Sequence, residues 1–542
     1  MNGFADKVFL NGNIYTVDES YPWAQAVAIK DGKIQAVGKD TDIIELIGAD
    51  TKVINLKKKL MLPGFIDSHA HPIAAGFLSS GLAMDMNDSL EETLEKVKQY
   101  VEKNPNKEIY FGSGFQENLI TNLTSPKTLL DEIEREKPIL LVGSGGHTGW
   151  CNSKALEMAD INERTIDPIP NLHFYAKDEN NQPNGLLVET WGNLTRDNKL
   201  QPYDIDSVKK NLARVSDEYT KAGVTAIQDG GAWPGMLDIA LPMLTELIAS
   251  GKFNQRIQGC MFLLTPDDRE GIVDGIIDYN QSYDDDSLRI NYLKILNDGV
   301  FEGKTAAMIE PYDYENSMCT PMFYGESLKE LFIEAAQKGL DICVHGIGDW
   351  TIRETLLATK HIREKGYNDI RVTSIHTVAT NIEDLELFKE YGVIANTTPV
   401  WLLENKLKEK MIGDRAHNNY MMNTLLKSGA VVTFSSDYPT DWYGKEPLKG
   451  IEMGITRQLY GHPDMPILKP LSERLTVAKM IKGYTIDAAY QMRMENKIGS
   501  IEEGKYADLV VLEENIFEID PHDIHKVEIA MTVANEKIKY LK

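Results

Sequence analysis

Five apolar runs of this chain end on residues that hold metal ions or move protons: LPGFIDSHAHP, YLKILNDG, DICVHGIGD, VTSIHT and VVTFSSDYP. They put His69, His71, Lys294, His345, His376 and Asp437 at the C-terminal ends of candidate strands, the end at which a barrel of parallel strands keeps its chemistry. Imidazole and carboxylate are ligands for divalent ions. The pattern therefore points to a metal-dependent hydrolase.

Each residue has a plainer reading when taken alone. In His69-Ala70-His71 the period of two along a strand sends both imidazoles to one side, where a single ion can take both; two surface histidines ahead of Pro72 fit equally. His345 and His376 each close a short β-branched run, and either alone reads more readily as a satisfied structural histidine. Two of them in consecutive strands, aimed at the same mouth as the His69/His71 pair, weigh against coincidence. Asp437 follows an apolar run, where an unpaired carboxylate is costly unless it meets a metal or donors; a helix cap or turn is the alternative. Lys294 lies inside a run expected to be buried, and a buried ammonium needs a partner or loses its charge. An ordinary ion-pair lysine satisfies that too.

Two further polar residues sit in a middle segment: His147 in GGHTGW and Glu189 in GLLVETW. His147 fits a site residue or a structural histidine in a glycine-rich turn, and Glu189 a pocket carboxylate or a solvated one. Trp150, Trp191, Trp233 and Trp401 stand beside these motifs or after strand ends, suited to the wall of an apolar pocket or to plain packing. Cys151, next to Trp150, has no paired and oriented histidine in its surroundings and is not read as a nucleophile.

The elements that must position these residues are legible in outline. Between the chain ends, apolar strand candidates alternate with helix-period segments, the pattern of βα units and a parallel sheet. Eight strands fall at about 65–69, 224–228, 256–262, 291–296, 341–345, 372–376, 392–396 and 431–436, the number a closed (β/α)8 TIM-like barrel needs. SLKELFIEAAQKG (327–339) and NIEDLELFKEYG (381–392) read as crossover helices that close on glycine. Residues 77–222 are too many for one crossover and are expected to form an insertion after strand 1, lying over the barrel mouth. Both chain ends alternate apolar and polar positions around turns, as antiparallel strands do. The expected α/β organisation is thus a barrel over 62–486 and one small discontinuous β-sandwich built from 1–61 and 487–542.

Bulk properties remove other classes. The 542 residues exceed what one hydrophobic core serves, and 42% of them are hydrophobic. No apolar run approaches the roughly 18 residues of a membrane span. The N-terminus lacks a basic segment followed by a long apolar one, so export is not signalled and a cytoplasmic setting is expected. The net charge of -25, with no basic cluster, disfavours nucleic acid and anionic membranes as partners. Cys151, Cys260, Cys319 and Cys343 are widely spaced, too few for a disulfide framework in so long a chain. GSGFQEN, GSGGHTG and GIGD have neither phosphate-loop nor dinucleotide spacing.

Taken together, the ordered motifs resemble the amidohydrolase superfamily, and within it the YtcJ-like branch (amidohydrolase family 3) that includes N-substituted formamide deformylase. The resemblance runs end to end through NGNIYTVD, AVAIKDGKIQAVG, LPGFIDSHAH, GGHTGWCNSKAL, GLLVE, KILNDGV, VHGIGDW, SDYPT and IGSIEEGKYADLVVL. It implies that His69 and His71 bind the more buried metal, that Lys294 is N-carboxylated and bridges two ions, that His345 and His376 bind the second, and that Asp437 holds metal and shuttles the proton. One or two divalent ions are expected, zinc foremost, with manganese, iron or cobalt as alternatives.

The expected reaction is hydrolysis of a non-peptide C–N bond, in an amide or N-substituted formamide, with His147 or a metal polarising the carbonyl. Glu189, Trp150 and Trp191 are expected to line the substrate pocket. Cyclic amides, deaminated rings and esters are alternative substrates of the same site. A metal-free binding protein on the same barrel is the alternative from another class. A small-molecule amide is the expected partner, and a homodimer the expected assembly.

Overall fold

The computed structural model describes residues 3–196, 199–313, 318–403, 406–440, 445–535 and 537–542. Eight parallel strands form the barrel: β1 Phe65–Ala70, β2 Val224–Ala232, β3 Arg256–Leu263, β4 Leu288–Ile295, β5 Asp341–Gly346, β6 Val372–His376, β7 Val393–Thr397 and β8 Val432–Phe434. They pair in sequence order from β1 to β8. Most of their side chains are buried, as expected of a parallel sheet covered by helices. The expected strands are thus all present, within a few residues of their anticipated ends.

The seam between β8 and β1 is nearly closed and is made just beyond the strand ends. Asp437 donates its N–H to the His69 carbonyl at 2.9 Å, and His71 donates to the Tyr438 carbonyl at 2.7 Å. Lower on the seam, the Ser68 hydroxyl donates to the Phe434 carbonyl. The closure that completes the barrel is therefore the same ladder that brings three candidate ligands together.

The crossover helices follow from their sequence period. Glu326–Gln337 buries Leu328, Leu331, Phe332 and Ala335 on one face, an i, i+3, i+4, i+7 stripe, and Leu385–Tyr391 ends on Gly392 at φ 68°, a left-handed position where glycine carries no Cβ penalty.

The long segment after β1 folds into a sheet of its own. Six strands lie in the order Phe174–Lys177, Pro183–Val188, Thr148–Cys151, Ile139–Gly143, Tyr110–Phe115 and Leu82–Ala83. The helix Ile205–Lys221 then returns to the barrel wall against Pro72–Leu78.

Strands from both chain ends share one sheet, in which Leu60–Pro63 pairs antiparallel with Leu509–Leu512. A second sheet of Lys33–Gly38, Ala26–Lys30, Lys7–Leu10 and Lys52–Asn55 packs on it, around Phe9, Ile29, Met61, Leu509 and Val533. The buried Arg256–Asp508 pair, at 2.7 Å, ties this unit to β3. The helix Ile486–Gln491 straddles the 486/487 position and sends Gln491 to β1 and β2.

Candidate metal centre

β1 ends on His69, and His71 follows it; both rings reach Asp437, at 3.3 Å and 3.5 Å from Oδ1. One ligand atom from each of the three lies within 4.8 Å of the others, a spacing that one ion can bridge. Glycine is required beside them, because a Cβ at Gly230 would fall within 3.0 Å of both rings. Asp437 sits at φ 54° and His376 at φ 71°. Left-handed backbone at non-glycine residues is a strain that clusters at functional sites.

Lys294 on β4 is buried, with its Nζ 3.2 Å from His69 Nε2 and 5.9 Å from the centre of the Phe262 ring. Burial pulls its pKa below the usual lysine value. His376 closes β6; its Nδ1 is buried with no hydrogen-bond partner among the described residues, and its ring stacks on Trp401 at 5.1 Å. The His376 ring lies 5.1 Å from that of His69 and 4.7 Å from that of His345. His345, at the end of β5, is held through Nδ1 by Asp298 Oδ1 at 3.0 Å.

Burial depresses His69, His345 and His376 well below the ordinary imidazole value, and the Lys294 amine adds to it. Both effects favour the neutral imidazole, the form that offers a lone pair. Burial works against ionisation of Asp437, but the surrounding histidines, His376 foremost, hold it well below its usual 3.8. Neutral imidazoles, one carboxylate, a depressed lysine and an orphaned ring nitrogen make a donor set that fits a divalent ion.

Above these residues opens a cavity of about 150 Å³, lined by His71, Lys294, His345, His376 and Asp437 below and by the inserted sheet on one side. That side contributes Gly143 to His147, Glu189 and Trp191. Glu189 bonds His147 Nδ1 at 2.8 Å and accepts from Thr305 Oγ1 at 3.3 Å. Burial alone would lower the His147 pKa, but the Glu189 charge and hydrogen bond outweigh it and raise it to about 9. His147 is thus an imidazolium beside the His345 ring, 5.6 Å away.

All six candidate ligands of the sequence reading therefore meet at one place, with His147, Glu189 and Trp191 around them. Trp150 does not join them: its indole is fully buried in the inserted unit, packed on Phe115 and donating to the Pro126 carbonyl at 3.0 Å. Its neighbour in sequence, Gly149, is the residue that abuts Trp191, so the strand period turns Trp150 away from the cavity. Trp191 lines the cavity and donates to the Gly146 carbonyl; Trp233 lines it as well, whereas Trp401 backs His376. Cys151 is buried with its thiol pKa pushed up by burial, which removes thiolate chemistry.

Three contributors were not singled out in the sequence. Asp298 lies in KILNDGV, Phe262 within an apolar run, and Thr440, whose hydroxyl bonds Asp437 Oδ2 at 2.8 Å, is marked only by its place three residues after Asp437.

A sequence model described as the amidohydrolase family matches residues 52–540. The chain is 28% identical to "Putative amidohydrolase YtcJ" of Bacillus subtilis (strain 168) over 545 residues, covering 99% of each. It is 24% identical to the N-substituted formamide deformylase of Arthrobacter pascens, covering 100% of this chain and 99% of that one. In three dimensions it is similar to a crystal structure titled as an uncharacterized metal-dependent hydrolase from Pyrococcus furiosus, with a TM-score of 0.71, 22% identity, and coverage of 94% and 100%.

Proposed function

This chain belongs to the amidohydrolase family, and on that premise we propose that it hydrolyses a non-peptide C–N bond, in an amide or N-substituted formamide, of a small molecule. The observation that carries the reading is the convergence of His69, His71 and Asp437 within 4.8 Å, with His71 and Asp437 lining a cavity that His147 lines as well. The activity named for the Arthrobacter relative, N-substituted formamide deformylase, supports the choice of bond. His69, His71, Lys294, His345, His376 and Asp437 would hold one or two divalent ions, zinc foremost and otherwise manganese, iron or cobalt. Such an ion, when bound, supplies Lewis acidity that moves the pKa of water from ~15.7 towards ~7.

The chain's own groups supply the rest. Asp437, ionised and anchored by Thr440, takes the proton of the attacking water and returns it to the departing amine nitrogen. His147, kept protonated by Glu189, offers a charged N–H to the substrate carbonyl oxygen, where negative charge develops. Lys294 is depressed by burial, and its neutral amine is the form that adds to carbon dioxide to give a carbamate, with loss of one proton. That carbamate would put an anionic ligand at the position of the buried amine. Glu189 and Trp191 border the space left for substrate. A cytoplasmic setting and a homodimer complete the reading; all four cysteines are buried and unbridged, as a reducing compartment favours.

Two measurements test it together. Metal content per chain, on protein prepared with zinc and bicarbonate, is expected near two ions and to fall clearly in Lys294→Ala. The loaded protein is expected to release amine from a panel of N-substituted formamides and linear amides faster than it opens cyclic amides or esters. No bound metal and no amide turnover would sink the proposal.

A further inference from the structure

We propose that Asp298 is the positioning residue of this centre: its carboxylate fixes which nitrogen of His345 faces the cavity and clamps together the loops that follow β4 and β5. The inference rests on the metal reading above and adds to it a residue that lies outside the ligand set and does not line the cavity.

Asp298 follows β4 in the segment Asn297-Asp298-Gly299 and is completely buried. A buried carboxylate is tolerated only when donors satisfy it, and here three backbone N–H donors and the His345 ring nitrogen converge on its two oxygens. Oδ1 lies 3.0 Å from His345 Nδ1 and accepts from the Ile347 N–H at 3.2 Å. Oδ2 accepts from the Gly348 N–H at 2.9 Å and from the Ala307 N–H at 3.1 Å. Two of the backbone donors belong to the loop after β5 and one to the loop after β4. The two loops touch at main-chain distance, since a Cβ at Gly348 would overlap the Ala307 backbone, and Trp350 donates its N–H to the Ala307 carbonyl.

With Nδ1–H donated to a carboxylate, the His345 lone pair is on Nε2. The ring then sits between His147, at 5.6 Å, and His376, at 4.7 Å. Orientation of a ligating imidazole by a carboxylate on its other nitrogen is a device that sets metal affinity. The same loop carries Thr305, which reaches Glu189 at 3.3 Å. One strap thus spans from the His345 side of the cavity to the His147 side. An aspartate that merely tied loops together would accept the three backbone N–H groups without engaging His345.

The test is a zinc-binding double-mutant cycle, with thermal melts of the chelator-stripped proteins to check folding. Asp298→Asn is expected to weaken zinc affinity by roughly 10–100-fold. In a His345→Ala background the same substitution is expected to change it by no more than about twofold. Unchanged affinity in Asp298→Asn, or a loss that adds in full to that of His345→Ala, overturns the inference. If Asp298→Asn does not fold, the ¹⁵N-histidine spectrum of the zinc-free parent decides. His345, assigned with His345→Gln, must be the Nδ1–H tautomer, and an Nε2–H tautomer overturns the proposal. A parent that binds no zinc overturns the metal reading with it, whereas a parent that binds zinc beside an unaffected variant overturns only the role of Asp298.

Discussion

Two buried polar clusters lie against the barrel strands, and they are finished differently. Around Gln491 every atom of the amide is engaged: Nε2 donates to the Ser68 carbonyl and to Gln228 Oε1, and Oε1 accepts from Thr433. Asn396 continues the web to Ser68 and Thr433. At the strand C-termini the accounts stay open. His376 Nδ1 has no partner among the described residues, the Lys294 amine meets a histidine, and His376, Asp437 and Glu189 all sit at positive φ. A satisfied buried network rigidifies a fold. A strained and partly unsatisfied one fits a site completed by something bound, so the two clusters should separate cleanly under mutation.

The largest effect is expected at Asp437. Asp437→Asn keeps the shape but removes the proton acceptor, so turnover should fall by about 10²–10⁴-fold while zinc content stays near that of the parent. Near-parental turnover would remove Asp437 from the chemistry.

Gln491→Leu probes the other cluster. It leaves the Thr433 hydroxyl and the Ser68 carbonyl without their buried partner, at a cost of about 1–3 kcal/mol read by urea unfolding, with zinc stoichiometry unchanged. A loss of metal with no loss of stability would reverse the assignment of the two clusters.

A smaller and pH-dependent effect is expected at the cavity wall. The His147 pKa is raised from 6.5 to about 9, so the stabilisation is fully present below pH 6.5 and is lost as the pH rises through about 9. The Tm of metal-free parent protein should therefore decline across that window, and Glu189→Gln should flatten the decline. Parallel pH profiles for the two proteins would show that Glu189 does not hold the proton on His147.

What the residues determined by themselves was local. The period of β-branched runs marked eight strands, and the ends of those runs marked His69, His71, Lys294, His345, His376 and Asp437, because a strand's pleat and polarity are written along a few neighbouring residues. The tertiary structure decided everything that depends on which strand or loop faces which. The β8–β1 seam, made by Asp437 with His69 and by His71 with Tyr438, joins segments more than 360 positions apart. Trp150 was turned into the core of the inserted sheet by its register with Leu141 and Leu186. Asp298 was brought to His345 from another strand's loop, and Glu189 to His147 across paired strands. Such contacts are settled by sheet register and loop packing, and these are properties of the assembled barrel that no single segment carries.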